Sequence, residues 1–585
     1  MSLFTVFFSF QSFIFLIGIN FFSKRLSAYF RLNKNFNLSI FSTLILLISF
    51  CFYFLSSLNF FYLKVFSEFI FYFFIFLGYF SFIFKFLNLK KRDKKELFHW
   101  NYLNIIYFLI IINILISSLV PVTDADSVRY HLGQFNNDPK FIDFDLHNKI
   151  SYIGDGLNVI SYYSGALNIV SCLNFYFLFL VISLIKKTFS KEKKVFFSLF
   201  LLSIPIYLNL LISQKPFLWL VLNLFYIFFL SYKNLINKNS FSFLIILINL
   251  SLILISKPEF LLVVPLFVIF LIVKNISLNF IVREKFSKIF LFIACISLFP
   301  TIFFIYNFFI FSDPTKILFI QNNLGEEKFV NFLKNSNISF SLSYAFEFFI
   351  NLGIPTKYIK YFSISLGFGF LICIIFSKFR FNKNYILLIS LIILNFLFDR
   401  INIEQNHSRN YIFIFLILIY LFLQQKIIFK NFVKIILVIQ LIITQVSFMF
   451  FNYEIYFKNK YKEIAFNYSN ENKIFDKIQF EKNSIIVTTI DGNLFKRYNY
   501  VNIDYYNFDE DVFLKKFYNK IQNEKNINKI ILILKDSETY PKLNPYFSES
   551  LLIPLRTRNP LKKKKTINYS IYKLSKKEFR DTFNL

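Results

Sequence analysis

The chain alternates long apolar runs with short polar turns, and the length of the runs matches a lipid bilayer rather than a globular core. Runs such as 38–63 and 289–311 reach or exceed the roughly 20 residues that a helix needs to cross a hydrocarbon layer. Reading the runs in order predicts about fourteen spans, beginning near residues 3–22, 38–63, 65–87 and 102–120. No small-residue cleavage site follows residue 22 and further spans come after it, so the first run reads as a retained helix. Past residue 451 the pattern changes. Charges mix with short β-branched stretches at 484–490, 530–534 and 567–574, which read as strands of a small α/β unit. The expected fold class is an all-α polytopic membrane protein with a small C-terminal α/β soluble domain. Its expected divisions are leading transmembrane helices over 1–100, a transmembrane catalytic core over 101–452 and the soluble domain over 453–585.

Composition sharpens this picture. Of 585 residues 56% are hydrophobic and 17% charged, yet 65 Lys and Arg stand against 34 Asp and Glu, a net charge of +31. A basic nucleic-acid binder would have to hide that apolar surface in a core. Basic residues instead collect in cytoplasmic turns and set orientation, so the charge is no argument for a nucleic-acid partner. The basic clusters at 24–34, 90–95, 186–194, 233–238, 274–288, 378–383 and 426–434 are each separated by two spans, and one assignment makes all of them cytoplasmic. Segments 122–156, 214–216, 257–259, 312–344 and 404–410 then fall on the extracytoplasmic side. The surplus of Phe (91 residues) and Tyr (35) is accounted for by lipid-facing helices without invoking a stacking site. The four cysteines, Cys51, Cys172, Cys295 and Cys373, are scattered in apolar segments with no metal-like spacing. Zinc-protease, Walker and Rossmann patterns are missing from the sequence, so energy for chemistry has to arrive with the substrate.

The first long extracytoplasmic loop, 122–156, opens with Thr123-Asp124-Ala125-Asp126-Ser127-Val128-Arg129-Tyr130-His131-Leu132 and continues through Asp138, Asp143, Asp145, His147 and Asp155. It is acidic in a chain that is otherwise basic. A helix capped at Thr123 or Asp124 would place Asp124, Ser127 and His131 on one stripe beside Val128, Leu132 and Phe135. Two neighbouring carboxylates push their pKa values apart, which suits one of Asp124 and Asp126 to act as general base while the other orients it or holds a metal. The bland alternative is a capped helix followed by a solvated loop. Further extracytoplasmic polar residues are Lys257-Pro258-Glu259, Asn307 with Ser312-Asp313-Pro314, and Glu404 to Tyr411 with His407 and Arg409. Arg409 suits bidentate binding of a phosphate, and Lys257 and Lys215 would add positive charge. Each of these alone also reads as an interfacial anchor. Together they describe a site for a phosphorylated lipid.

The order of these motifs resembles the GT-C superfamily of glycosyltransferases, in the branch of the protein mannosyltransferases and the aminoarabinose transferase of lipopolysaccharide. The residues that carry the likeness are T-D-A-D-S-V-R-Y-H-L at 123–132, K-P-E at 257–259, N-x4-S-D-P at 307–314 and S-R-N-Y at 408–411. That resemblance implies an inverting transferase that moves a sugar from a polyprenyl-phosphate donor to a glycan, lipid or protein acceptor outside the cytoplasm. It implies Asp124 or Asp126 as catalytic base, Arg409 as donor-phosphate ligand and His131 as a supporting site residue; Tyr130, Asp155, Lys257, Glu259 and His407 are the further residues expected to bind substrate. Some relatives use a divalent metal such as Mg or Mn, for which Asp124 and Asp126 would be the ligands. A polysaccharide polymerase or ligase centred on His407 and Arg409 is the chief alternative. A transporter or flippase would instead place charges within the spans, where few occur.

Overall fold

The computed structural model describes residues 3–58, 60–89, 102–119, 152–235, 240–257, 259–275, 286–311, 342–354, 365–378, 383–401, 407–456, 474, 483–488, 500–502, 511–535, 541–555 and 565–585. The first part of the chain is helical: α1 (Leu3–Tyr29), α2 (Asn37–Leu58), α3 (Phe60–Leu89), α4 (Tyr102–Ser118), α5 (Gly156–Ser164) and α6 (Ile169–Ile185). There follow α7 (Lys191–Leu202), α8 (Tyr207–Leu211), α9 (Leu218–Tyr232), α10 (Ser240–Leu254), α11 (Phe260–Asn275) and α12 (Phe286–Phe311). The helical part closes with α13 (Leu342–Gly353), α14 (Phe368–Phe376), α15 (Lys383–Ile401), α16 (Ile412–Gln424) and α17 (Lys430–Tyr456). Among the described residues four stretches are long and apolar enough to cross a membrane: Lys34–Leu55, Leu63–Phe84, Ile169–Thr188 and Lys430–Tyr453. Six shorter apolar helices accompany them. The single run expected over 38–63 falls on two helices, α2 ending at Leu58 and α3 beginning at Phe60.

Buried polar pairs set the direction of each helix. Ser12 Oγ donates to Asn168 Oδ1 at 2.7 Å and Asn20 Nδ2 donates to the Tyr176 hydroxyl, so α1 and α6 run parallel with a constant offset. α3 follows the same direction and crosses α1 at Gly18 and Gly78, where an added Cβ would lie 1.8 Å from the Phe74 carbonyl oxygen and 2.4 Å from that of Ile14. Only paired glycines let the two backbones touch in this way. α2 runs with α10: Asn249 Nδ2 donates to Ser42 Oγ at 2.5 Å and to Thr43 Oγ1 at 3.1 Å. α4 runs against α6, with the Lys186 ammonium 4.6 Å over the Tyr107 ring near one end and Ser171 Oγ donating to the Ser118 carbonyl at 3.0 Å near the other. α17 lies parallel to α4, joined by Asn113 Nδ2 to Gln445 Oε1 (3.0 Å) and Ser117 Oγ to Asn452 Oδ1 (2.9 Å).

These registers give the helical body two chemically different ends. The basic residues Lys24, Arg25, Lys186, Lys187, Lys233 and Lys426 close α1, α6 and α9 or follow α16 at one end. There Arg25 lies over the rings of Phe21 and Phe84, at 5.1 and 4.8 Å. The second half of α2 and the first turns of α5, α6, α9, α11 and α16 meet at the other.

α17 shows why this body belongs in lipid. Its outward face carries Ile435, Ile442, Val446, Met449 and Phe450, each more than half exposed, while Gln440, Thr444, Gln445 and Asn452 are buried. Gln440 donates to the Ser203 carbonyl at 2.8 Å and accepts from the Gly369 amide at 2.9 Å. A helix with apolar residues outside and hydrogen-bonded polar residues inside is stable where its surroundings are hydrocarbon.

The C-terminal part is an α/β unit. Strands β1 (Ser484–Thr488), β2 (Tyr500–Asn502), β3 (Lys529–Lys535), β4 (Phe547–Leu555) and β5 (Lys565–Ser575) form one sheet in the order β2-β1-β3-β5-β4. β1 is parallel to β2 and β3, and β5 is antiparallel to β3 and β4. The short strands β1 and β3 are buried on both faces, which is why they read as unbroken apolar runs. Leu514, Phe517 and Ile521 of α18 (Asp511–Asn523) and Phe579 of α19 (Lys576–Phe583) cover one face. Ser575 and Glu578 cap α19 reciprocally, Ser575 Oγ accepting from the Glu578 amide at 3.2 Å and Glu578 Oε2 from the Ser575 amide at 2.6 Å.

Candidate functional site

The end of the body opposite the basic turns gathers four of the charged residues singled out by sequence. Its scaffold begins with the 3-10 turn Ile153–Asp155, which leads into α5 at Gly156. The Gly154 amide donates to the Ser256 carbonyl at 3.2 Å, and an added Cβ at Gly154 would meet that oxygen at 2.8 Å. At Gly156 an added Cβ would lie 1.9 Å from the Ser49 carbonyl oxygen, and Ser49 Oγ donates to the Ile153 carbonyl at 2.6 Å. Two missing side chains thus let the turn wedge between the second half of α2 and the end of α10.

That wedge puts Asp155 beside the residue following Ser256. Lys257 Nζ donates to Asp155 Oδ2 at 3.3 Å, and the pair is buried, with side-chain exposures of 11% and 2%. The Tyr152 amide donates to the same oxygen at 3.2 Å, while Asn158 Nδ2 donates weakly to Asp155 Oδ1 at 3.4 Å and to the Gln214 carbonyl at 3.3 Å. Gln214 extends the network to α6: its Oε1 accepts from the Val170 amide and its Nε2 donates to Ser171 Oγ, both at 3.2 Å. Burying two charges costs several kcal/mol each unless they are paired and hydrogen-bonded, and both conditions hold here.

Two residues after Lys257, Glu259 begins the second pair. Arg409 Nη2 lies 3.4 Å from Glu259 Oε1, with side-chain exposures of 25% and 17%. Arg409 sits in the 3-10 turn His407–Tyr411 that leads into α16, and Phe260, the residue after Glu259, stacks on Phe217 with ring centroids 5.7 Å apart. One tripeptide therefore contributes a cation to α5 and an anion to the start of α16. An aromatic wall stands next to it: Tyr152 and Tyr53 both lie 5.9 Å from Phe303, and Tyr53 lies 6.1 Å from Tyr306. Asn307 is buried in the following position of α12.

Asp155, Lys257, Glu259 and Arg409 are thus brought together, each cation already facing a carboxylate. A phosphate at this end would join a balanced set of charges rather than meet bare cations. Lys215 is half-buried on the turn before Pro216, whose ring would contact a Cβ at Gly154 at 2.9 Å. Asp124, Asp126, Tyr130 and His131 lie outside the described residues, as does the side chain of His407. The end of α4 and Tyr152 both lie on this same end. Among the described residues no group of three His, Cys, Asp or Glu could hold a metal. Sequence reading missed Tyr53, Tyr152, Asn158 and Gln214. The signal for Asn158 was its place three residues after Asp155, one helical turn away; nothing local marks Gln214, whose partners lie 43 and 44 residues earlier.

No family profile matches the sequence, and no curated protein matches it. Among solved structures the chain is similar to the crystal structure of ArnT from Cupriavidus metallidurans bound to undecaprenyl phosphate, at 10% identity and a TM-score of 0.39. The match covers 80% of this chain and 98% of that one. A superposition this loose supports no residue-by-residue transfer.

Proposed function

We propose that this integral membrane protein is a glycosyltransferase of the GT-C type, taking a sugar from a polyprenyl-phosphate donor and passing it, with inversion, to an extracytoplasmic acceptor. The observation that supports the reading best is the gathering of Asp155, Lys257, Glu259 and Arg409, chosen for their residue types, at the end opposite the basic turns. By the positive-inside rule the basic end faces the cytoplasm, which leaves the gathered charges outside.

In this reading Asp124 or Asp126 takes the proton of the acceptor hydroxyl or amide as its oxygen or nitrogen attacks the anomeric carbon. The bond from that carbon to the phosphate oxygen breaks, and Arg409 stabilises the charge that develops on the leaving phosphate. A guanidinium has five donors, enough to serve Glu259 and a phosphate together. Lys257, sealed against Asp155, holds the K-P-E turn in place and adds to the positive potential. The C-terminal α/β unit positions the acceptor on the same side.

The test is donor consumption by the purified protein in lipid, given the polyprenyl-linked sugars of its own host and followed by mass spectrometry. Wild type should consume donor, and Asp124→Asn with Asp126→Asn should lower the rate by roughly 10²–10⁴, the usual worth of a general base. Equal consumption in both would move the chemistry to Arg409 and His407, the polymerase or ligase reading. No consumption by wild type, with host acceptor supplied, would count against transfer altogether.

A further inference from the structure

The two oxygens of Glu259 have different surroundings. Oε1 faces Arg409, whereas Oε2 is buried and accepts no hydrogen bond from any of the described residues. Removing a carboxylate oxygen from water without giving it a donor is costly, and folded proteins seldom leave such an atom unmet. No described residue supplies that donor, so a bound molecule can.

Charge decides what kind of donor fits. Arg409 already pairs with Glu259, and Asp155 with Lys257, so Oε2 lacks a hydrogen-bond donor rather than a counter-charge, and a further cation would have to be desolvated to reach it. A neutral O–H meets the oxygen without that cost. The geometry points to Glu259 as the residue that reads a sugar hydroxyl of the donor: Arg409 fixes Oε1, and Oε2 is left to meet the group next to the phosphate. This rests on the proposed function, since it takes the Arg409 side of the pair as the phosphate side.

The inference separates the sugar from the lipid phosphate, and so does its test. Two probes, undecaprenyl phosphate and the same lipid phosphate carrying one neutral hexose, are bound to the full chain in nanodiscs and measured by native mass spectrometry. A panel of glucose, mannose and galactose donors stands for the hexose. For the best of them, Glu259→Gln should weaken binding about tenfold, the worth of one hydrogen bond to a charged acceptor, and change undecaprenyl phosphate by less than about twofold. Glu259→Asp keeps the ion pair's charge but withdraws the oxygen, and should show the same selective loss if Glu259→Gln proves unstable. Equal weakening of both probes would overturn the inference, because Glu259 would then only orient Arg409. No weakening of either would overturn it too, with a water as the partner of Oε2. Wild type that binds neither probe would remove the glycosyltransferase reading itself, an outcome distinct from both.

Discussion

The amide of Gly154 donates to the carbonyl of Ser256, and this one backbone contact places Asp155 and Lys257 side by side although 102 residues separate them. The approach depends on the glycines to either side of Asp155. Gly156→Ala would set a methyl group 1.9 Å from the Ser49 carbonyl, backbone against backbone, where nothing flexible can yield. We expect it to cost about 1–3 kcal/mol and to lower the thermal midpoint in detergent. Gly165→Ala is the control, since its added Cβ meets open space and only the φ of +75° is strained. A midpoint for Gly156→Ala at or above that of the control would show that the wedge is looser than described.

The Asp155–Lys257 pair is buried enough for its halves to be unequal to the whole. Removing one partner, as in Lys257→Met or Asp155→Leu, should cost about 3–5 kcal/mol because a charge is stranded. Combining both substitutions should recover most of that loss, since two apolar side chains need no pairing. A double variant that is stable yet inactive would assign the pair to substrate; one that is stable and active would make it purely structural.

The exposed face of α17 should behave as a lipid surface. Ile442 is 57% exposed, and Ile442→Lys near the middle of the span is expected to cost about 2.5–3.5 kcal/mol of insertion, against almost nothing for Ile442→Leu. Membrane-fraction yield and protease accessibility of the C-terminal unit would report it. Normal insertion of the lysine variant would mean that this face borders water.

Acid should loosen the last helix before the rest. The Glu578 carboxyl is held below its ordinary value, first by the Ser575 amide and then by the Ser575 hydroxyl. A depressed carboxylate adds stability that is present above its unfolded pKa, about 4.3, and is lost as pH falls through the lower folded value. Glu578 is almost fully exposed, so the effect is small and confined to that helix. Hydrogen exchange over 576–583, corrected for intrinsic rate, should rise below about pH 4 in wild type and be fast already at neutral pH in Glu578→Ala. Equal protection in the two proteins would dismiss the capping box.

Much of this architecture was written in the chain's local pattern. The apolar runs gave helices such as Tyr102–Ser118, and the β-branched stretches gave β1, β3 and β5, because burial on one face or both leaves a period that can be read directly. β2 and β4 escaped notice: Tyr500–Asn502 is too short to show a period, and β4 is interrupted by Pro554 on the sheet's edge. At the candidate site the residue types of Asp155, Lys257, Glu259 and Arg409 stood out, but their pairing did not. An ion pair closed by a glycine wedge from a distant helix leaves no local trace. Asp155 read as one of several acids of a loop and as a substrate-binding residue, and nothing in that loop's pattern showed that it would be 1% exposed.

The hydrogen bonds from Ser12 to Asn168 and from Asn20 to Tyr176 span the same interval, 156 residues. At a synthesis rate of about 5–20 residues per second, α1 is made roughly 8 to 30 s before α6 exists to receive it. Through that interval the polar groups of α1 can be met only within the helix, as Ser23 does by bonding to the Asn20 carbonyl. Assembly then has a clock: the first helix must be held in the bilayer, unmatched and in the right direction, until the sixth arrives and fixes both contacts in one register.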